Sequence, residues 1–210
     1  MTIHVFGDSH ADNYNHIEIL GVELKVWQKS TTIYNFVHQI ADEIDFSVIK
    51  DDDIVLFVFG EIDIRFRIHQ QIEKGRTVDE VVDSLISEYI QKIMSITQNA
   101  VIVLPIPQTY RNIDPIDNPE FPVLGSVENR VRYWNAIKNA ITKYPISIFD
   151  PFSSISYPGP YMDIKLFDHI MVHLDERYNI LLQTALVNFL RDLGKITIQS
   201  YSNCINYIYT

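Results

Sequence analysis

The chain alternates short, wholly apolar runs with longer stretches whose apolar residues recur at helical spacing. Strand-like runs occur at residues 3–6, 24–27, 54–59, 100–104 and 146–149. The run Ile54-Val55-Leu56-Phe57-Val58-Phe59 follows the polar turn Asp51-Asp52-Asp53 and has no polar position at all, as suits a strand buried on both faces. Between the runs, residues 32–45 read as a helix. Thr77 reads as an N-cap, with Glu80 three positions on to complete a capping box. Val78, Val81, Val82, Leu85, Ile86, Tyr89, Ile90, Ile93 and Met94 then form one long apolar stripe. Ser126 or Asn129 opens a further helix carrying Val127, Val131, Trp134, Ile137 and Ile141, and residues 174–193 are mostly helical in pattern. Pro115, Pro119 and Pro122 mark 108–125 as a loop, and a second loop rich in Ser, Pro and Gly covers 151–160.

Strand-helix alternation of this kind predicts an α/β fold, a parallel sheet with helices on both faces. Residues 1–195 read as one domain, and 196–210 as a C-terminal tail with the alternation of an added strand. In parallel sheets ligands collect at the carboxyl ends of the strands. Ser9, the stretch from Glu61 to Asp63, and the loop after Leu104 all follow strand ends, so residues distant in sequence meet at one edge.

Composition narrows the function. The 210 residues are 47% hydrophobic and 21% charged, the balance of a soluble globular protein. A net charge of −10 argues against a general nucleic-acid binder. The single Cys204 excludes a disulfide framework or a cysteine-based metal cluster. No run is long enough to span a membrane and the N-terminus lacks a signal-peptide pattern, so a cytoplasmic location is expected. Only seven glycines are present and no Gly-rich phosphate loop occurs, which disfavours a flavodoxin-like nucleotide binder. The Asp51-Asp52-Asp53 run has no metal-ligand spacing with Asp63. Neither a cofactor nor a metal is expected.

The chemistry starts at Gly7-Asp8-Ser9-His10, which puts a serine hydroxyl where the first strand ends and the chain turns. Asp8-Ser9 is also an ordinary helix-capping pair. A serine needs a base to take its proton, and histidine titrates in the right range. His173 stands just before the last helix; His169, beside Asp168, competes for the role. An acidic group would orient the imidazole, with Asp168 first in line and Asp163 second.

Taken together, the motifs resemble the SGNH/GDSL hydrolase superfamily, in a divergent branch found among glycan-related bacterial and large-virus genes. The residues that carry the resemblance are Gly7-Asp8-Ser9-His10, Gly60-Glu61-Ile62-Asp63 with Arg65, and Asn118-Pro119-Glu120-Phe121-Pro122 leading to Gly125 and Arg130, then Val172-His173-Leu174. They run in the family's order from residue 3 to residue 174. The resemblance implies a three-layer α/β/α sandwich of about five parallel strands, with Ser9 as nucleophile, His173 as base and Asp168 as its partner. It further implies a substrate and oxyanion site drawn from Asp8, His10, Ser30, Glu61, Asp63 and Arg65. The substrate it implies is a small or carbohydrate ester, cleaved at an acyl (acetyl) group. Three positions depart from the pattern. Ile62 stands where the family has an oxyanion-binding asparagine, Gln28-Lys29-Ser30-Thr31 lacks the family's glycine, and Ile170 stands where the family has its aspartate. Arg65 is the candidate for the missing donor. The departures also support an alternative, a catalytically impaired relative that binds a saccharide or assists a glycan-modifying pathway.

Overall fold

A computed structural model describes residues 1–109, 122–153, 156–157, 161–162 and 179–196. Five strands form one parallel sheet: β1 (Thr2–Gly7), β2 (Glu23–Gln28), β3 (Ile54–Val58), β4 (Ala100–Val103) and, after the two-residue strand β5 (Gln108–Thr109), β6 (Ser147–Phe149). Their spatial order is β2-β1-β3-β4-β6. In register, Ile3 faces Ile54, Val55 faces Ala100 and Val101 faces Ser147. The three central strands are buried on both faces, which is why they read as unbroken apolar runs.

Alternation along those strands sorts their side chains into two cores. Phe6, Val55, Phe57 and Ile102 face α3 (Val78–Ile96) and α4 (Val127–Ile141). Ile3, Val5, Leu56, Val101 and Val103 face the other way, against α5 (Asn179–Asp192) and the 3-10 segment Ser9–His16. Three layers follow directly. The expected α/β/α sandwich is the observed fold.

Helix starts lie where the side chains satisfy them. Thr77 Oγ1 accepts from Glu80 N at 3.3 Å while Glu80 Oε2 accepts from Thr77 N at 2.9 Å, the reciprocal capping box that begins α3. Ser126, not Asn129, caps α4, accepting from Asn129 N at 3.2 Å. The helix expected over 32–45 is shorter and irregular. Thr32 caps α1 (Ile33–Asn35), which passes into a wide π turn (Phe36–Ile40) and a 3-10 turn (Ala41–Glu43). That path puts Ile33, Phe36, Ile40 and Ala41 in the core, a sequence of contacts that a regular helix does not present on one face. The predicted loops contain β5 and β7 (Ser156–Tyr157), which pair with β8 (Tyr161–Met162), just past the second loop, as a small second sheet in the order β5-β8-β7. Strands of two residues have no period to read. The tail beyond Ile196 lies outside the described residues.

At the amino edge of the sheet, His4 Nε2 meets Asp53 Oδ2 at 3.1 Å, both side chains buried. Burial works against the Asp53 charge, but donors from Thr2 N (2.9 Å), Lys50 N (3.1 Å) and His4 outweigh it and lower its pKa to about 2. Its stabilising contribution is therefore present above the unfolded-chain value of about pH 4 and is lost as pH falls through about 2. In urea titrations the stability gap between wild type and Asp53→Asn should be widest near neutrality and close towards acid. A gap independent of pH would contradict this account.

Candidate active site

Strand β1 delivers Ser9 to the carboxyl edge through a glycine that has no room for a side chain. A Cβ on Gly7 would stand 2.5 Å from Val58 O and 2.8 Å from Ala11 Cβ. The close approach lets Asp8 N donate to Val58 O at 2.9 Å and lets the segment Ser9–His16 fold back over the end of β3. Gly7→Ala is expected to cost about 1–3 kcal/mol by overpacking, read from denaturant midpoints. An unchanged midpoint would show that the β1 exit relaxes freely.

Asp8 is the N-cap of that segment. Its Oδ1 accepts from His10 N at 3.0 Å and lies 2.8 Å from His10 Nδ1. Asp8 and His10 are buried, while Ser9, the residue between them, is half-buried. The serine thus sits at the start of a helical segment whose N–H groups at His10 and Ala11 are held by Asp8.

Strand β3 ends beside it. Gly60 adopts φ +119°, and a Cβ there would press on Pro105 at 3.3 Å. The chain then enters a π turn (Asp63–Arg67) that continues into α2 (Ile68–Glu73). Glu61 Oε2 accepts from Arg65 Nε at 2.7 Å, with both side chains about 5% exposed. A second buried guanidinium, Arg130, feels the Glu61 charge and donates from Nη1 to Gly125 O at 2.7 Å. Ile62 is buried in place of a polar donor. Asp63 is fully buried, and its Oδ2 accepts from Ile33 N at 2.7 Å, at the start of α1. Burial is the main cause of a pKa raised to about 7, with the nearby Asp8 adding to it against the Ile33 N–H and Arg67.

A pocket enclosing about 350 Å³, part of it open to solvent, lies among these strand ends. Asp8, His10 and Glu61 supply polar groups, and Val103, Pro105 and Phe152 are among its apolar lining. Trp134 Nε1 donates to Pro105 O at 2.9 Å and so anchors that wall.

The structure therefore brings Ser9, Asp8, His10, Glu61, Asp63 and Arg65 to one edge of the sheet. Asp63 faces inward and Ser30 is exposed beyond β2. His173, His169, Asp168 and Asp163 lie outside the described residues. Two buried hydroxyls escaped the sequence reading: Tyr89 reads as one more residue of the α3 stripe, and Thr31 as the polar residue after Ser30. Nothing in the apolar periodicity tells how deeply a tyrosine's hydroxyl is buried.

Layers and strand order define a doubly wound α/β/α fold with Ser9 at the carboxyl edge of its sheet. No family model matches the chain, and no curated protein matches it. Solved structures do match. An acetyl xylan esterase, AlAXEase, superposes with a TM-score of 0.58 at 17% identity, over 90% of this chain and 98% of that one. Est24, a carbohydrate acetylesterase from Sinorhizobium meliloti, gives 0.58 at 15% identity over 91% and 99%. A chain from Desulfitobacterium hafniense DCB-2, assigned to the G-D-S-L lipolytic family, gives 0.59 at 15% identity over 90% and 99%. At such identities the likeness is one of fold.

Proposed function

We propose that this protein is a serine ester hydrolase of the SGNH/GDSL type that removes a short acyl group, acetyl in the first instance, from a carbohydrate or another small ester. One observation carries the reading: Ser9 opens a capped helical segment at the carboxyl edge of the sheet, next to a pocket that is apolar with a few polar groups. Two of the solved structures sharing this fold are an acetyl xylan esterase and a carbohydrate acetylesterase, which favours acetyl esters of sugars as the substrate class.

In this reading Ser9 Oγ attacks the ester carbonyl as His173 takes its proton, and Asp168 holds the imidazole in the required tautomer. The oxyanion forms at the Ser9 backbone N–H, completed by a neighbouring donor. Collapse of the tetrahedral intermediate releases the alcohol, which leaves with the proton from His173. Water then repeats the sequence on the acyl-enzyme and releases the acid. Arg65, anchored through Nε by Glu61, is assigned the donor role that Ile62 does not fill. His10 and Asp8 shape the turn, Glu61 faces the pocket, and Ser30 marks the rim beyond β2.

The test is hydrolysis of a panel of acyl esters and of acetylated oligosaccharides. Acetyl esters should be turned over well above background and long-chain esters poorly. No hydrolysis across the panel would contradict the reading. The buried apolar Ile62 favours one other reading, a saccharide-binding protein of this fold without hydrolysis. That protein would show thermal shifts with saccharides and no turnover.

A further inference from the structure

Five buried side-chain atoms have no hydrogen-bond partner among the described residues: Asp8 Oδ2, Thr31 Oγ1, Asp63 Oδ1, the Tyr89 hydroxyl and Asn179 Oδ1. Of these residues, Asp8 alone lines the pocket at the carboxyl edge. The other polar atoms of Asp8 are all committed. Its N donates to Val58 O at 2.9 Å, and its O accepts from Ala11 N at 3.1 Å. Oδ1 accepts from His10 N at 3.0 Å and meets His10 Nδ1 at 2.8 Å. Oδ2 is the atom left over. Buried polar atoms of native proteins are nearly always paired, and leaving an acceptor unpaired is costly, so Oδ2 calls for a donor.

We propose that Asp8 is a specificity-determining residue whose Oδ2 accepts a hydrogen bond from a free hydroxyl of the ligand in this pocket. The substrates are then acyl esters of polyols that keep a free hydroxyl close to the ester.

The chemistry of the pocket selects the donor. Its other carboxylate, Glu61, is engaged by Arg65 Nε at 2.7 Å, and its imidazole, His10, by Asp8. Asp8 thus offers one open acceptor, which one donor satisfies. A hydroxyl brings a single O–H, whereas an ammonium brings three N–H donors and a full charge. The walls nearby are apolar, with Ile106, Phe152 and Leu182 all buried. Desolvating a cation against them, with donors left unmet, is costly. A neutral polyol instead lays its C–H surface on those walls and gives its O–H to the carboxylate, a charge-assisted bond of the stronger kind. His10 holds the carboxylate through both backbone and ring, so the acceptor is set in place before a ligand arrives.

Asp8 and Ser9 are consecutive, with Cα atoms about 3.8 Å apart. An ester at Ser9 and a hydroxyl at Asp8 therefore belong to one small molecule, as they do in a partly acylated sugar. This consequence for turnover rests on the esterase reading; the need of Asp8 Oδ2 for a donor does not.

The experiment measures kcat/KM for ethylene glycol monoacetate and for fluoroethyl acetate, which are close in size and of which only the first can donate. The fluoro ester has the better leaving group, so a preference for the hydroxy ester reports recognition and not intrinsic reactivity. Wild type should prefer the hydroxy ester by about tenfold or more. Asp8→Ser keeps a hydroxyl to cap the segment and lacks the second oxygen. Whatever its absolute rates, its two esters should differ by no more than about twofold. Asp8→Asn is the second variant. Its Oδ1 stays oxygen to accept from His10 N, so the amide nitrogen takes the Oδ2 position, and its preference should fall about threefold or more below that of wild type. Urea titration establishes that each variant is folded. No preference in wild type, or the same preference in wild type and variants, would overturn the proposal. A titration of the isotope-labelled protein with xylose, followed by nuclear magnetic resonance, needs no turnover. The amide signals of residues Asp8 to Ala11 should move in wild type and stay still in Asp8→Ser; signals that move alike in both, or in neither, would equally overturn it. If wild type hydrolyses neither ester, the esterase reading fails, while the xylose titration still decides the role of Asp8.

Discussion

Ser9→Ala is expected to lower kcat/KM for short acyl esters by about 10⁴-fold or more, the range found when a serine nucleophile is removed from a triad. The same variant should remain folded, with its stability changed far less than its activity. The two halves of this prediction separate chemistry from folding. What builds the turn is Gly7, which permits close approach to Val58 and Ala11, and Asp8, which caps the segment through His10 N. Neither depends on the Ser9 hydroxyl. Steady-state kinetics and urea titration on the same preparation check both halves. Full activity in Ser9→Ala would move the nucleophile elsewhere.

Glu61→Ala should cost about 3–5 kcal/mol of stability, because it removes the carboxylate that buried Arg65 meets and whose charge acts on buried Arg130. Arg65 Nε lies 2.7 Å from Glu61 Oε2, and Arg130 feels the same charge. Removing one member of a buried ion pair leaves the other charge desolvated, which costs more than the pair contributes when intact. Glu61→Gln preserves an acceptor for Arg65 and should cost less. Urea midpoints of the two variants measure the difference. A cost below about 1 kcal/mol for Glu61→Ala would mean that these arginines reach solvent or other partners more freely than their burial indicates. Because Glu61 also lines the pocket, activity should fall in both variants even where they remain folded.

The fold was readable wherever burial on both faces writes itself as an unbroken apolar run. β1, β3 and β4 begin and end within a residue or two of their apolar stretches, and Thr77 with Glu80 marks the start of α3 by a pattern with a physical mechanism. The stretch from Thr32 was harder. Its apolar residues suit a helix, but the π turn at Phe36–Ile40 is imposed by packing against Phe57, Phe59 and Tyr89, and these contacts are remote in sequence. The site divides the same way. Ser9 and the Glu61–Arg65 pair were legible because strand ends and a helical spacing of four place them. The burial of Asp63 was not, because an aspartate after a strand reads as rim or ligand until the Ile33 N–H that holds it is seen. Tyr89 shows why buried polar atoms are the hardest to foresee: the residue keeps an apolar period whether or not its hydroxyl reaches solvent.

The most direct test of the central claim is covalent trapping of Ser9. The protein is treated with an organophosphonate ester probe and digested, and the modified residue is located by mass spectrometry. A single phosphonyl adduct on the peptide containing Gly7-Asp8-Ser9-His10, located on Ser9 and absent from Ser9→Ala, is the predicted result. An adduct at another residue, or none in a folded protein, would contradict the assignment of Ser9 as nucleophile.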